Sequence, residues 1–96
     1  MFKDKIAITT GDPNGIGAEI TIKALNALDI PHDRVVLISN SKILNFYGRL
    51  NRNYSIIEIP YKEEDICAGE ITKEAGEFSF RSLVKACEIK PKAIVT

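Results

Sequence analysis

Histidine and cysteine, the residues behind most metal and nucleophile sites, are nearly missing from these 96 residues, which hold one histidine and two cysteines. His32 follows Pro31 in what reads as a loop, with no cluster of carboxylates or cysteines around it, so it is expected at the surface, neither ligand nor base. Cys67 and Cys87 stand apart, without a C-x-x-C spacing or a neighbouring histidine. They are expected to be reduced thiols, at least one of them buried. An excess of charge of either sign is missing too: 13 basic side chains face 13 acidic ones. That balance points away from nucleic acid and anionic membrane as general partners. No run approaches the ~18–20 apolar residues of a membrane span. The apolar stretch behind Lys3-Asp4-Lys5 is too short for the roughly 7–15-residue core of a secretory signal. Repeats and low-complexity tracts are absent. What is left is one small domain with 45% hydrophobic residues, expected to be soluble and cytoplasmic.

Against that background the segment Gly11-Asp12-Pro13-Asn14-Gly15-Ile16-Gly17-Ala18-Glu19 stands out. It follows the apolar run Ile6-Ala7-Ile8-Thr9 and leads into a strong helix former. Glycine gives up backbone entropy on folding, so this cluster marks left-handed backbone or a close backbone approach. A strand turning through glycines into a helix leaves the first-turn amides open, with the positive end of the helix dipole behind them. Such a turn can receive a phosphate or carboxylate, or let a flat cofactor ring lie against backbone. The glycines at 11, 15 and 17 fit neither G-x-G-x-x-G nor the P-loop pattern, which also needs Gly-Lys-Ser/Thr. The plain alternative is a tight strand-to-helix turn with no ligand.

Periodicity organises the rest. Lys5 to Thr9 reads as a strand. Ile16 to Leu28 reads as a helix, with Ile16, Ile20, Ala24 and Ala27 along one side, broadened by Ala18, Ile22 and Leu25. Glu19 and Lys23 are spaced for an ion pair, and Asp29-Ile30-Pro31 ends the helix. The unbroken apolar run Val35-Val36-Leu37-Ile38 suits a strand covered on both faces. Ser39-Asn40-Ser41 supplies a cap for a second helix carrying Ile43, Leu44, Tyr47 and Leu50. Ser55 to Ile59 is a short strand stopped by Pro60, and residues 61–71 are irregular. Thr72 caps a third helix whose Gly76, Phe80, Leu83, Val84 and Cys87 share a face. Lys92 to Thr96 is a fourth strand. This alternation predicts an α/β fold: a three-layer arrangement with a parallel sheet between helices and right-handed crossovers. Ligands of such sheets gather beyond the carboxyl ends of the strands, where the glycine turn lies. The chain stops at the end of an apolar strand, which suggests the amino-terminal piece of something longer.

The stretch Ile8-Thr9-Thr10-Gly11-Asp12-Pro13-Asn14-Gly15-Ile16-Gly17-Ala18-Glu19-Ile20 resembles the opening of the 4-hydroxythreonine-4-phosphate dehydrogenase family of pyridoxal 5′-phosphate biosynthesis, I-T-x-G-[DE]-P-x-G-I-G-[PA]-[DE]-[ILV]. Ala68-Gly69-Glu70, Gly76 and Leu83-Val84-Lys85-Ala86-Cys87 are similar to a second family landmark. Ala93-Ile94-Val95-Thr96 is similar to the strand before the family's P-x-x-K segment. The resemblance implies a two-domain fold akin to isocitrate and isopropylmalate dehydrogenases, of which residues 1–96 are the amino-terminal portion. It implies NAD- or NADP-dependent oxidation and decarboxylation of 4-(phosphooxy)-L-threonine to 3-amino-2-oxopropyl phosphate, a divalent metal (Zn, Mg or Co) and a homodimer. The family's metal, substrate and phosphate residues fall beyond Thr96, so no catalytic or metal-binding residue carries over. By analogy Gly11, Gly15, Ile16 and Gly17 supply backbone and shape to the nicotinamide side of the cofactor cleft, while Asp12 and Glu19 fix the turn and the helix start. Gly15 and Gly17 are accordingly expected to matter more for cofactor use than for folding. Arg81 and Lys85 can face a ligand but suit solvated surface. The other functional reading is a stand-alone flavodoxin-like module that binds a phosphate or nucleotide at the same turn.

Overall fold

The computed structural model describes residues 2–96. Strand β1 is Ile6–Thr9, helix α1 Gly17–Leu28, β2 Val35–Ser39, α2 Ser41–Tyr47, β3 Ser55–Glu58, α3 Lys73–Glu88 and β4 Ala93–Val95. The four strands form one sheet in the order β3-β2-β1-β4, every pairing parallel, with Ile6 opposite both Val35 and Ala93. β2 earns the centre through its unbroken apolar run: all five of its residues are buried. The two edge strands, β3 and β4, are short and largely open to solvent. Right-handed crossovers from β1 to β2 to β3 run one way and put α1 and α2, which touch each other, on one face. The step from β3 to β4 runs back across the sheet and lays α3 over β1 and β2 on the other face. The α/β reading and its three layers are what the structure has.

Local signals explain most element ends. Asn40 accepts the amide of Lys42 at 2.9 Å and starts α2; Thr72 accepts the amide of Ala75 at 3.2 Å and starts α3. α1 stops at Asp29, which takes a left-handed φ of 50°. Helix α2 ends at Tyr47, short of the expected Leu50, because Gly48 turns the chain out of the helix at φ 167°. Leu50 packs on the core from the connection instead.

The helix faces need correction. α3 buries Ala75, Phe78, Ser82 and Ala86, whereas Phe80, Leu83, Val84 and Cys87 of the expected face lie exposed. Three small residues let this helix come close to the sheet, and Phe78 fills the space between, its ring edge-on to Tyr61 at 5.3 Å. Ser82 is tolerated there because its hydroxyl donates to the Phe78 carbonyl at 2.8 Å. α1 likewise buries Ala18, Ile22 and Leu25, and its Ile16, Ile20, Ala24 and Ala27 side faces solvent. The cysteines also differ from expectation: Cys67 is half-buried and Cys87 exposed, so neither is a core residue.

Candidate functional site at the glycine turn

Strand β1 delivers the chain to Thr10, whose hydroxyl shares a hydrogen bond of 2.7 Å with Ser39 at the end of β2. Gly11 then adopts φ +72°, a left-handed conformation that costs a side chain roughly 1–2 kcal/mol. Asp12 closes an Asx turn by accepting the Asn14 amide at 2.8 Å, and its carbonyl takes the Gly15 amide at 3.0 Å. Pro13 is fully buried, and the Tyr47 hydroxyl of α2 donates to its carbonyl. Burial raises the Tyr47 pKa above the ordinary phenol value, and the nearby Asp12 and Glu19 carboxylates raise it further.

The candidate residues fall into distinct places. Gly11, Gly15 and Gly17 are half-buried, and Asp12 and Ile16 are exposed; Ile16 is 70% open. Between them Pro13 and Asn14 are sealed, so the turn is a solvent-facing rim over a buried middle. Gly17 answers a packing demand inside the protein. A Cβ on it would lie 2.1 Å from the Thr10 carbonyl oxygen. The residue exists so that α1 can start directly against the exit of β1, a packing demand internal to the protein. A Cβ on Gly15 would sit 3.5 Å from the Asp12 oxygen, an ordinary contact, and one on Gly11 would meet nothing within 4 Å. Glu19 does not cap the helix; it pairs with Lys23 at 3.1 Å. Ile16, at the N-cap position, makes no side-chain capping bond, so the leading amides of α1 remain for an outside acceptor.

Sheet topology adds an independent reason to look here. The strand order reverses between β1, whose successors lie on one side, and β4 on the other. Such a switch point opens a crevice at the carboxyl ends of its two strands, and the glycine turn leaves β1 there. Thr9 and Thr96 bridge it with a hydroxyl hydrogen bond of 2.7 Å.

A separate cavity of about 440 Å3 opens beyond β2 and β3, lined among others by Asn40, Lys42, Tyr61, Glu74 and Arg81. The glycine turn is not part of its lining, so of the sequence candidates only Arg81 borders it. Lys85 sits in a smaller apolar groove with Phe80 and Val84 and pairs with Glu88 at 3.4 Å. His32 is exposed in a short 3-10 turn, His32–Arg34. Among the described residues no group of three or more His, Cys, Asp or Glu is placed to hold a metal ion. No helix among them is long and apolar enough to cross a membrane.

The most telling feature missed at the sequence level is Asn14. It is buried, and its side chain spans to the far segment Cys67–Thr72. The Asn-Gly pair reads as turn chemistry, and nothing local signals a partner more than fifty positions away.

Comparison with known proteins bears on the same stretch. No family model matches the chain. The 4-hydroxythreonine-4-phosphate dehydrogenase of Helicobacter pylori (strain J99) is 32% identical over 97 residues, covering 93% of this chain and 32% of that protein. That of Sulfurimonas denitrificans is 33% identical over 106 residues, covering all of this chain and 34% of its own length. The crystal structure of the Klebsiella pneumoniae enzyme of that name superposes with a TM-score of 0.79 at 26% identity, over 96% of this chain and 36% of that one. The chain is a homologue of the 4-hydroxythreonine-4-phosphate dehydrogenases. It spans about a third of the length of the curated relatives it matches. Its α/β architecture is of the isocitrate dehydrogenase type shared with those dehydrogenase structures.

Proposed function

We propose that residues 1–96 form the amino-terminal α/β portion of a two-domain dehydrogenase, contributing the glycine-turn wall of its nicotinamide cofactor cleft. The reaction assigned to the whole protein is oxidation and decarboxylation of 4-(phosphooxy)-L-threonine to 3-amino-2-oxopropyl phosphate in pyridoxal 5′-phosphate biosynthesis. The observation that carries this reading is the position of the turn. A glycine-rich loop similar to the family's opening motif leaves β1 at the reversal of strand order, with the start of α1 uncapped by any side chain. Cytoplasmic location and a homodimer belong to the same proposal.

Bound NAD(P) would supply the hydride acceptor. The chain's own contribution is binding and shape. Gly11 bends backbone toward the ligand side without a Cβ in the way, and the amides opening α1 face the crevice as donors for an anionic or carbonyl oxygen. Exposed Ile16 offers an apolar edge beside them. Asp12 holds the turn through the Asn14 amide, and Tyr47 pins it from α2. Among the described residues no group of three or more His, Cys, Asp or Glu is placed to hold a metal ion. No step through a metal is therefore assigned to this part of the protein.

The test is a titration of the 15N-labelled chain with NAD+, alongside inorganic phosphate. The proposal expects weak binding that shifts the amides of Gly11, Gly15, Gly17 and Ala18, and no NADH when substrate and Mg2+ or Zn2+ are added to these residues alone. Shifts confined to the cavity between Asn40 and Arg81 would refute it. Sub-millimolar phosphate or nucleotide binding by the isolated chain would favour the flavodoxin-like module instead.

A further inference from the structure

Asn14 is followed directly by glycine, as no other asparagine of the sequence is. That dipeptide is open to a reaction of its own, because glycine, having no Cβ, leaves its backbone nitrogen unshielded. The deprotonated Gly15 nitrogen attacks Asn14 Cγ, an N–C bond forms, and the Cγ–Nδ2 bond breaks. Nδ2 leaves with the electron pair and takes a proton from solvent as ammonia, and a cyclic imide remains. Water then opens the imide at either carbonyl, giving aspartate or the β-linked isoaspartate. Nothing is oxidised or reduced, and water is the one co-reactant.

The fold holds both partners of that reaction. Asn14 is 4% exposed. Its Oδ1 accepts the Cys67 amide at 2.7 Å, and its Nδ2 donates to the Glu70 carbonyl at 3.1 Å and the Thr72 hydroxyl at 3.3 Å. Its backbone carbonyl takes the Gly69 amide at 2.7 Å. The attacking group is engaged as well, since the Gly15 amide donates to the Asp12 carbonyl at 3.0 Å. Ring closure draws Cγ onto the Gly15 nitrogen and so takes Oδ1 and Nδ2 from partners 53 to 58 positions away. A buried amide paired on all sides resists that loss. We propose that the Asn14-Gly15 pair is a deamidation site gated by residues 67–72. It is closed while the four bonds from Asn14 hold, and it reacts in the fraction of molecules in which that segment has lifted off. The product does not close again in the same way. A carboxylate in place of the amide has no hydrogen to give and sets oxygen against oxygen at the Glu70 carbonyl. The isoaspartate form also adds a backbone carbon to the turn. One opening event is thereby made permanent, whatever ligand the turn takes.

The experiment incubates the 96-residue chain at mildly alkaline pH, both folded and in urea above its unfolding transition. Peptide mapping follows Asn14 for the gain of one mass unit and for isoaspartate. Hydrogen exchange at the Cys67 amide, whose partner is Asn14 Oδ1, reads the open fraction of the clamp. The expected folded rate is the rate in urea multiplied by that fraction, to within about threefold. Thr72→Ala removes one acceptor of Nδ2 and should speed the folded reaction about fivefold, the change in open fraction that one lost hydrogen bond brings. Thr72→Ser, which keeps the hydroxyl, should restore the slow rate. Gly15→Ala, whose Cβ meets an ordinary contact at 3.5 Å, should keep the fold and slow the reaction in urea and buffer alike. Asn14→Asp, the product itself, should exchange its Gly69 amide faster than wild type. Where Thr72→Ala does not fold, the match between folded rate and Cys67 exchange decides. A folded chain that reacts as fast as the unfolded one, a rate unrelated to Cys67 exchange, or an Asn14→Asp protein with Gly69 exchange unchanged overturns the proposal.

Discussion

Replacing Gly17 with alanine adds one methyl group at the tightest point of the molecule. The new Cβ would lie 2.1 Å from the Thr10 carbonyl oxygen, and Thr10 is buried backbone at the exit of β1. An ordinary contact begins near 3.4 Å, so the overlap exceeds an ångström and no side-chain rotation can relieve it. Helix α1 must move off the strand or the strand must bend. Overpacking of a well-filled site costs about 1–3 kcal/mol, and a clash against rigid backbone lies at the upper end. Alanine regains up to about 1 kcal/mol in helix propensity. The expected net loss is therefore about 2 kcal/mol, a large share of what a small domain has to spare. Two neighbours act as internal controls. Gly15→Ala meets only an ordinary contact at 3.5 Å without a left-handed φ, so it should change stability by less than about 0.5 kcal/mol. Gly11→Ala finds open space but a φ of +72°, so roughly 1–2 kcal/mol of conformational strain should appear with no steric part. Urea unfolding followed by circular dichroism gives all three, read as midpoint shifts at constant slope. A Gly17→Ala protein as stable as Gly15→Ala would refute the argument, because the close approach of α1 to β1 would then not exist.

Phe78→Ala should cost about 3–5 kcal/mol and Phe80→Ala less than about 0.5 kcal/mol, since Phe78 is 2% and Phe80 70% exposed; equal losses in chemical denaturation would show the wrong face of α3 to be buried. Tyr47→Phe removes the bond to the Pro13 carbonyl and should lower stability by about 1 kcal/mol at neutral pH. The same substitution should flatten the alkaline limb of the stability profile. The folded Tyr47 phenol, and Tyr61 likewise, hold their protons more tightly than in the unfolded chain, chiefly because of burial. The stabilisation is complete below about pH 10 and is lost as pH rises through the raised folded values. An unchanged alkaline limb in Tyr47→Phe, measured by thermal unfolding across pH 9–12, would contradict that assignment. Exchanging the Thr72 cap for alanine should cost about 1 kcal/mol, plus part of the Asn14 network; a loss in urea unfolding no greater than that of the cap alone would contradict the bond from Asn14 to the Thr72 hydroxyl.

Near-neighbour signals were enough for much of this protein. The unbroken run at 35–38 announced a central strand, the caps at Asn40 and Thr72 announced helix starts, and the glycines after β1 announced a turn where a parallel sheet places its ligands. Each depends on interactions within a few residues, or on a period that side chains impose on their own element. Which stripe of an amphipathic helix is buried was not legible in this way. α1 and α3 each carry two apolar stripes, and the choice between them follows from how a helix must rotate to seat small residues against a twisted sheet. A serine satisfied by its own helix carbonyl helped disguise the stripe that won on α3. The role of Gly17 was equally hidden, since the atom it makes room for belongs to Thr10 and is brought there by the path of the turn. Asn14 is the strongest case: its partners lie more than fifty residues away, and only folding, which brings the start of α3 beside the end of β1, turns an ordinary turn residue into the clasp between two segments.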